Sequence, residues 1–140
     1  MLLSQLFAPL LDLSASDDCE ISGIAMDSRE VKPGYLFMAA SPPLGDGEPY
    51  IPQAIAAGAV AILQQGKSHE CIIENAVRYV KIPDVAAKIG EIAASFCQNP
   101  SRQVPVYGVT GTNGKTTISY LLAQALTILG KPAGLIGTIG

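Results

Sequence analysis

A glycine-rich segment from Gly111 to Thr117 combines a lysine with threonines in the order Gly-Thr-Asn-Gly-Lys-Thr-Thr. Gly111 and Gly114 lack the side chains that would keep backbone N–H groups away from phosphate oxygens. Lys115 would supply a mobile positive charge for the β- and γ-phosphates, and Thr116 a hydroxyl ligand for Mg²⁺. The segment therefore predicts a loop that binds ATP and magnesium. Its expected phosphate-binding residues are Gly111, Thr112, Asn113, Gly114, Lys115, Thr116 and Thr117, with Lys115 as the catalytic residue and Thr116 as the metal ligand.

The flanking sequence supports the loop but also departs from the usual motif. An apolar strand is predicted over Val104–Val109 and a helix over Thr116–Leu129, the context that a phosphate loop requires. In the strict pattern GxxxxGK[ST], however, the first glycine would occupy the position of Val109. A chance Gly-Lys-Thr after a strand is the alternative, which the neighbouring Asn113 and Thr117 disfavour.

The elements that must position this loop follow from hydrophobic periodicity and from helix and turn signals. A helix is predicted near the N-terminus, where leucines recur at helical spacing between Leu2 and Leu11. A proline- and glycine-rich loop covers Ser41–Gly47, and Asp84 is the expected N-cap of a helix of about fifteen residues. Further predicted elements are strands over Ile21–Asp27, Tyr35–Ala40, Ala59–Leu63, Val77–Ile82 and Leu135–Ile139, and a helix over Tyr50–Ala57.

The composition excludes several classes of protein. With 49% hydrophobic and 15% charged residues the chain is not intrinsically disordered. A net charge of −3 without a basic stripe predicts no nucleic-acid partner. No apolar run approaches the roughly 20 residues of a membrane span, so no membrane association is expected. Three scattered cysteines predict a reducing, cytoplasmic location, and the lone His69 is interpreted as a solvated loop residue rather than a metal ligand.

Two segments resemble a known family. Val109–Thr117 resembles the variant phosphate loop of the Mur ligases and of their relatives, the folylpolyglutamate and cyanophycin synthetases. Asp27–Ala39 resembles the uridine-nucleotide-binding domain of the Mur ligases that add either the third residue or the final dipeptide. Asn113 and the segment Gly134–Gly140 favour the third-residue branch, with the dipeptide-adding branch as the alternative.

The resemblance implies an α/β fold in two parts. Residues 1–83 would form a small N-terminal α/β domain that binds the uridine nucleotide of UDP-N-acetylmuramic acid. Residues 84–140 would form the first βαβ unit of a P-loop ATPase-type domain, truncated after that unit. Residues 1–83 are expected to be the better protected part in hydrogen exchange.

The resemblance also implies a reaction. The γ-phosphoryl group of ATP would pass to the D-glutamyl carboxylate of UDP-N-acetylmuramoyl-L-alanyl-D-glutamate, and the amine of meso-diaminopimelate or lysine would attack the resulting acyl phosphate. By matching positions, Ser28 would hydrogen-bond the uridine diphosphate and Met26 would line the uracil. Pro43, Leu44 and Gly45 would offer backbone contacts only, because the loop differs there from its relatives.

The residues alone favour a plainer interpretation of the same segment. Asp27, Ser28 and Arg29 could form an Asx turn with Arg29 pairing to Asp27, and Tyr35 and Phe37 are expected in the core. A 140-residue chain of this kind is expected to lack ligase activity and to bind nucleotide weakly at best. A free-standing, non-catalytic uridine-nucleotide-binding module and a split subunit with a separate C-terminal partner chain are the alternatives.

Overall fold

A computed structural model describes residues 1–14 and 16–138. The chain divides into two compact units, Met1–Pro100 and Ser101–Gly140. The described residues form the helices α1 (Leu3–Phe7), α2 (Ile51–Ala56), α3 (Val85–Phe96) and α4 (Lys115–Ile128) and the strands β1 (Gly23–Ala25), β2 (Tyr35–Met38), β3 (Ala61–Gln65), β4 (Glu70–Glu74) and β5 (Val77–Ile82).

All five strands build one sheet in the first unit, in the order β1-β2-β3-β5-β4. Strands β1, β2, β3 and β5 pair in parallel, and β4 is the antiparallel edge strand. Parallel strands occur almost only where both faces of the sheet are covered. The mixed α/β architecture expected from the sequence is therefore confirmed in this unit.

Successive residues of the central strands point into two different cores. Leu36 and Met38 contact one cluster together with α1 and α3, whereas Phe37 and Ala39 contact the other. Phe37 is fully buried and Tyr35 is half-buried against the second cluster, as the sequence predicts. Because side chains alternate across a strand, an apolar run here stabilises both faces at once.

Helix α3 belongs structurally to the first unit. Asp84 caps it as predicted, since its Oδ1 accepts a hydrogen bond from the N–H of Ala87 at 3.1 Å. Val85, Ile89 and Ile92 are buried in the same core as α1. The compact unit therefore ends at Pro100 rather than near residue 83, while the division into two functional domains stays a prediction.

Two elements of the first unit differ from expectation. Strand β4 is not anticipated by the sequence interpretation; it forms a hairpin with β5 through Asn75 and Ala76, which both have positive φ as in a type I′ turn. Helix α1 ends at Phe7 instead of continuing to Leu11, although Leu10 and Leu11 still pack against the core.

The second unit contains the helix expected after the glycine loop, but not the predicted strands. Helix α4 begins at Lys115, one residue before the predicted start. Neither Val104–Val109 nor residues 135–138 form a strand among the described residues, and Ile139 lies outside them. A strand requires a hydrogen-bonded neighbour, and the described sheet contains only the five strands of the first unit.

None of the helices in the described part of the chain is long and apolar enough to cross a membrane.

Candidate functional site

The segment after β1 turns sharply at the carboxyl end of the strand. Asp27 caps a 3₁₀ turn over Ser28–Glu30, and its Oδ1 accepts a hydrogen bond from the N–H of Arg29 at 2.9 Å. The guanidinium of Arg29 also donates to Asp27, from Nε at 2.9 Å and from Nη2 at 2.6 Å. The Asx turn and the ion pair expected from the residues alone are therefore present.

The ion pair in this turn stabilises the charged forms of both Asp27 and Arg29, raising the pKa of Arg29 through its hydrogen bond to the Asp27 carboxylate. Hydrogen bonds from the Arg29 side chain and backbone lower the pKa of the Asp27 carboxyl from 3.8 to about 2, because they favour its charged form. Asp27 keeps its negative charge throughout the physiological range, and its partner offsets that charge locally.

Ser28 is the one buried polar residue in the described part of the chain, with 5% of its surface exposed. Its Oγ donates to Oε1 of Gln53, on helix α2, at 2.9 Å. A buried hydroxyl needs a partner of this kind, since an unpaired one costs about 1–3 kcal/mol. The bond ties the turn after β1 to α2.

The loop that follows β2 is tied back to the end of that strand. The N–H of Gly47 donates to the carbonyl of Ala40 at 2.8 Å, and the carboxylate of Asp46 accepts from the N–H of Glu48 at 3.3 Å. Leu44 remains 53% exposed on the loop. The loop therefore forms a wall beside the turn after β1.

Turn, loop and α2 together enclose an open cleft of about 570 Å³ beyond the carboxyl ends of β1 and β2. Its apolar rim carries Met26, Leu44 and Tyr50, which are 44%, 53% and 54% exposed. Open α/β sheets bind their ligands at this edge. The lining residues are Met26, Asp27, Ser28, Arg29, Ala40, Leu44, Gly45, Asp46, Gly47, Tyr50 and Gln53.

The cleft brings together four of the five residues predicted for uridine-nucleotide binding. Met26, Ser28, Leu44 and Gly45 line it, whereas Pro43 does not. Sequence reasoning assigned no binding role to Gln53, which reaches Ser28 from 25 positions away. The polar Gln53 on the otherwise apolar helix α2 is the signal that could have indicated it.

A smaller cavity of about 230 Å³ adjoins the first and shares Ala40 and Asp46 with it. Ser41 and Gln65 face each other there, with Ser41 Oγ donating to Gln65 Oε1 at 3.3 Å. The shared residues make the two cavities neighbours along one edge of the sheet.

In the second unit, the glycine loop has the backbone that its sequence predicts. Gly111 has φ +147° and Gly114 has φ +78°, conformations that side-chain-bearing residues rarely adopt. Gly114 is the N-cap of α4, and no side chain in the part of the chain that the structure describes caps the helix. The first N–H groups of α4 are therefore without a side-chain acceptor and suited to an anion.

The lysine of the loop lies over the loop itself. Lys115 Nζ donates to the carbonyl of Gly111 and to that of Thr112, the latter at 3.4 Å. The exposed Thr116 and Thr117 follow in the first turn of α4. All seven predicted phosphate-binding residues thus form one continuous exposed segment.

Comparisons with known proteins identify similar sequences and structures. Residues 20–97 match the family model described as "Mur ligase family, catalytic domain". The chain is 41% identical over 140 residues to the UDP-N-acetylmuramoyl-L-alanyl-D-glutamate–2,6-diaminopimelate ligase of Pseudomonas putida, covering all of this chain and 27% of that protein.

Two solved structures are similar as well. A UDP-N-acetylmuramoyl-L-alanyl-D-glutamate–2,6-diaminopimelate ligase superposes with TM-score 0.69 and 25% identity over all of this chain and 28% of that one. The MurF ligase of Thermotoga maritima in complex with ADP superposes with TM-score 0.55 and 26% identity over 75% of this chain and 23% of that one.

The mainly parallel sheet with its cleft at the carboxyl ends of β1 and β2 defines the first unit as an α/β domain. The family model covers more than half of the chain, and the chain belongs to the Mur ligase family. It spans about a quarter of the length of the curated relatives that it matches.

Proposed function

We propose that the chain is the nucleotide-binding part of an ATP-dependent ligase of peptidoglycan precursor synthesis. The ligase would form an amide bond between UDP-N-acetylmuramoyl-L-alanyl-D-glutamate and the third amino acid of the peptide, meso-diaminopimelate or lysine. The observation that carries the proposal is that one chain contains both a cleft lined by Met26, Ser28, Leu44 and Gly45 and a glycine loop at residues 111–117.

The cleft supports the uridine-nucleotide part of the proposal. Its volume of about 570 Å³ lies within the usual range for small-molecule sites, about 300–1,000 Å³. Met26 and Leu44 provide apolar surface for a pyrimidine ring, and Ser28 provides a buried polar contact. Pro43 keeps no assigned contact, because it does not line the cleft.

The glycine loop supports the ATP part. The left-handed Gly114 at the start of α4 and the uncapped N–H groups behind it fit an oligophosphate. Lys115 is exposed, and among the described residues it donates only to backbone carbonyls of its own loop, so it can turn toward a phosphate oxygen. The hydroxyl of Thr116 is the group that would hold Mg²⁺.

Bound MgATP would supply the phosphoryl group that activates a substrate carboxylate. This chain would contribute electrostatic stabilisation, because Lys115 and the loop N–H groups would stabilise negative charge on the phosphoryl oxygens. The cleft of the first unit would hold the uridine nucleotide. The three unpaired cysteines support a cytoplasmic location for this chemistry.

The uridine site is tested by titrating the chain with UDP-N-acetylmuramoyl-L-alanyl-D-glutamate in a calorimeter. Met26→Glu should weaken binding at least about tenfold, since a charge would replace apolar surface against the pyrimidine. Ile73→Glu is the matched control, because Ile73 is 42% exposed against 44% for Met26 and lies on β4 away from the cleft residues. Equal effects of the two variants would contradict the proposal.

The ligase assignment is tested in a chimera that joins this chain to the remaining domains of the Pseudomonas putida ligase. ATP- and diaminopimelate-dependent formation of the tripeptide product is expected, with a loss of about 100-fold or more for Lys115→Ala. Lys131→Ala, just after α4, is the control. Full activity of the Lys115 variant would refute the role of the loop.

A further inference from the structure

The hydrogen bond between Ser28 and Gln53 determines what Ser28 can offer to a bound molecule. Ser28 lies after β1 and Gln53 on α2, and the two side chains meet at 2.9 Å in the wall of the cleft. In this bond the serine hydroxyl is the donor and the carboxamide oxygen Oε1 the acceptor.

A serine hydroxyl has one proton and two lone pairs. With the proton committed to Gln53, the remaining capacity of Ser28 toward the cleft is that of an acceptor. Because only 5% of Ser28 is exposed, water has little access to the hydroxyl and does not offer its proton another acceptor. A group that approaches Ser28 must therefore bring its own N–H or O–H.

We propose that Gln53 is a positioning residue that makes Ser28 a hydrogen-bond acceptor, so that Ser28 recognises a donor on the nucleoside rather than a phosphate oxygen. The inference rests on the proposed uridine-nucleotide function and deepens it. Two groups of a uridine nucleotide have this chemistry, the N3–H of uracil and the hydroxyls of ribose, whereas ionised phosphate oxygens only accept.

If the N3–H of uracil is the donor, the cleft should bind uridine nucleotides more tightly than cytidine nucleotides. Cytosine has an acceptor at N3 where uracil has a donor, so a cytidine nucleotide would place two acceptors against each other at Ser28. Leaving a buried polar group unpaired in this way corresponds to a loss of roughly 10- to 100-fold in affinity. If a ribose hydroxyl is the donor instead, removal of that hydroxyl should weaken binding, and UDP and CDP should bind with similar affinity.

The test is a calorimetric titration of the chain with UDP, CDP, 2′-deoxy-UDP, 3′-deoxy-UDP and inorganic pyrophosphate. Wild type should prefer UDP over CDP, or over either deoxy analogue, by about tenfold or more. Gln53→Met removes the acceptor at nearly constant volume and frees the Ser28 proton, so the preference for UDP over CDP should fall toward unity, because the freed hydroxyl can donate to cytosine N3. Gln53→Glu keeps an acceptor and should keep the preference, a rescue that a merely structural role would not produce.

Several outcomes separate this inference from the function on which it rests. If UDP binds but CDP and both deoxy analogues bind equally well, the inference is overturned and the uridine site stands. Wild type that binds pyrophosphate as tightly as UDP would also overturn it, because phosphate contacts and not a donor on the nucleoside would then account for recognition. Absence of any UDP binding would count against the proposed function itself.

Discussion

Gly47 packs directly against the backbone of Ala39. A Cβ at Gly47 would lie 2.7 Å from Cα of Ala39 and 2.7 Å from N of Ala40, both of them backbone atoms that cannot move aside. This close approach lets the N–H of Gly47 reach the carbonyl of Ala40 and holds the loop wall against the end of β2. The shape of the cleft therefore depends on the absence of a single methyl group.

Gly47→Ala should lower the free energy of unfolding by about 1–3 kcal/mol, the usual cost of overpacking. It should also weaken UDP binding, since Leu44 and Gly45 would shift with the loop. Urea denaturation and calorimetry measure the two effects. Gly90→Ala is the control: Gly90 lies in α3 with open space around it, and alanine there should add up to about 1 kcal/mol of stability without changing affinity. A Gly47 variant as stable as wild type would contradict this packing.

Asp46→Asn should strengthen UDP binding by about two- to threefold at low salt. The cleft is lined by the carboxylates of Asp27 and Asp46 and by one cation, Arg29, so a diphosphate enters a site with excess negative charge. Asparagine keeps an oxygen for the Glu48 N–H. The gain should vanish near 1 M salt, where the Debye length is about 3 Å.

Glu74→Gln removes an exposed carboxylate at the end of β4, outside the cleft, and provides the control for net charge. An equal gain from both variants would show that the effect is not local to the cleft.

The Asp27–Arg29 pair should make stability depend on pH at the acidic end. Because folding lowers the pKa of Asp27 from 3.8 to about 2, the contribution of the pair is complete above about pH 4 and is lost as the pH falls toward 2. Asp27→Asn should therefore be less stable than wild type at pH 6, with a difference that shrinks between pH 4 and 2. Urea midpoints across this range measure it.

Glu91→Gln, which removes the exposed ion pair with Lys88, controls for the loss of any surface carboxylate. If wild type is more stable than Asp27→Asn by as much at pH 2 as at pH 6, the Asp27–Arg29 ion pair is not the cause of the difference in stability.

Gly114→Ala should weaken MgATP binding about fivefold or more, while Gly130→Ala should not. Both glycines have left-handed backbones, with φ +78° and +74°. A built Cβ would meet Ile118 Cδ1 at 3.9 Å, an ordinary van der Waals distance, at Gly114 and no atom within 4 Å at Gly130. Alanine in that conformation costs about 1–2 kcal/mol at either end of α4, so the two variants should lose similar stability. Nucleotide titrations followed by NMR separate the effects, and equal losses of affinity would argue against the loop as the ATP site.

Local sequence patterns were sufficient to predict much of the structure of this protein. The cap at Asp84, the strand Val77–Ile82 and the helix after Gly114 follow from short-range rules, because capping, side-chain alternation and left-handed glycine depend on neighbouring residues. The Asx turn at Asp27 is of the same kind, since its acceptor and donor are two positions apart. Likewise, the glycine loop is predictable because its conformational requirements lie within seven consecutive residues.

The structural features that local patterns did not predict depend on contacts between residues that are distant in sequence. Whether α3 joins the first unit depends on burial of Val85, Ile89 and Ile92 against α1 and the sheet, a choice that the helical periodicity of the segment leaves open. The strand predicted over Val104–Val109 is wrong for the same reason, because an apolar run becomes a strand only where a neighbour supplies its hydrogen bonds.

The amino-acid sequence by itself determined which residues could do chemistry: a lysine and threonines in a glycine loop, and a serine in a turn after a strand. Only the tertiary structure decided how that serine is used, since Gln53 and Ser28 come from separate elements and meet because the turn and α2 contact each other. It also excluded Pro43 from the cleft while admitting Leu44 and Gly45. Residue types set the available donors and acceptors, whereas the packing of distant segments sets their partners, and the hydrogen-bonding role of Ser28 depends on that packing.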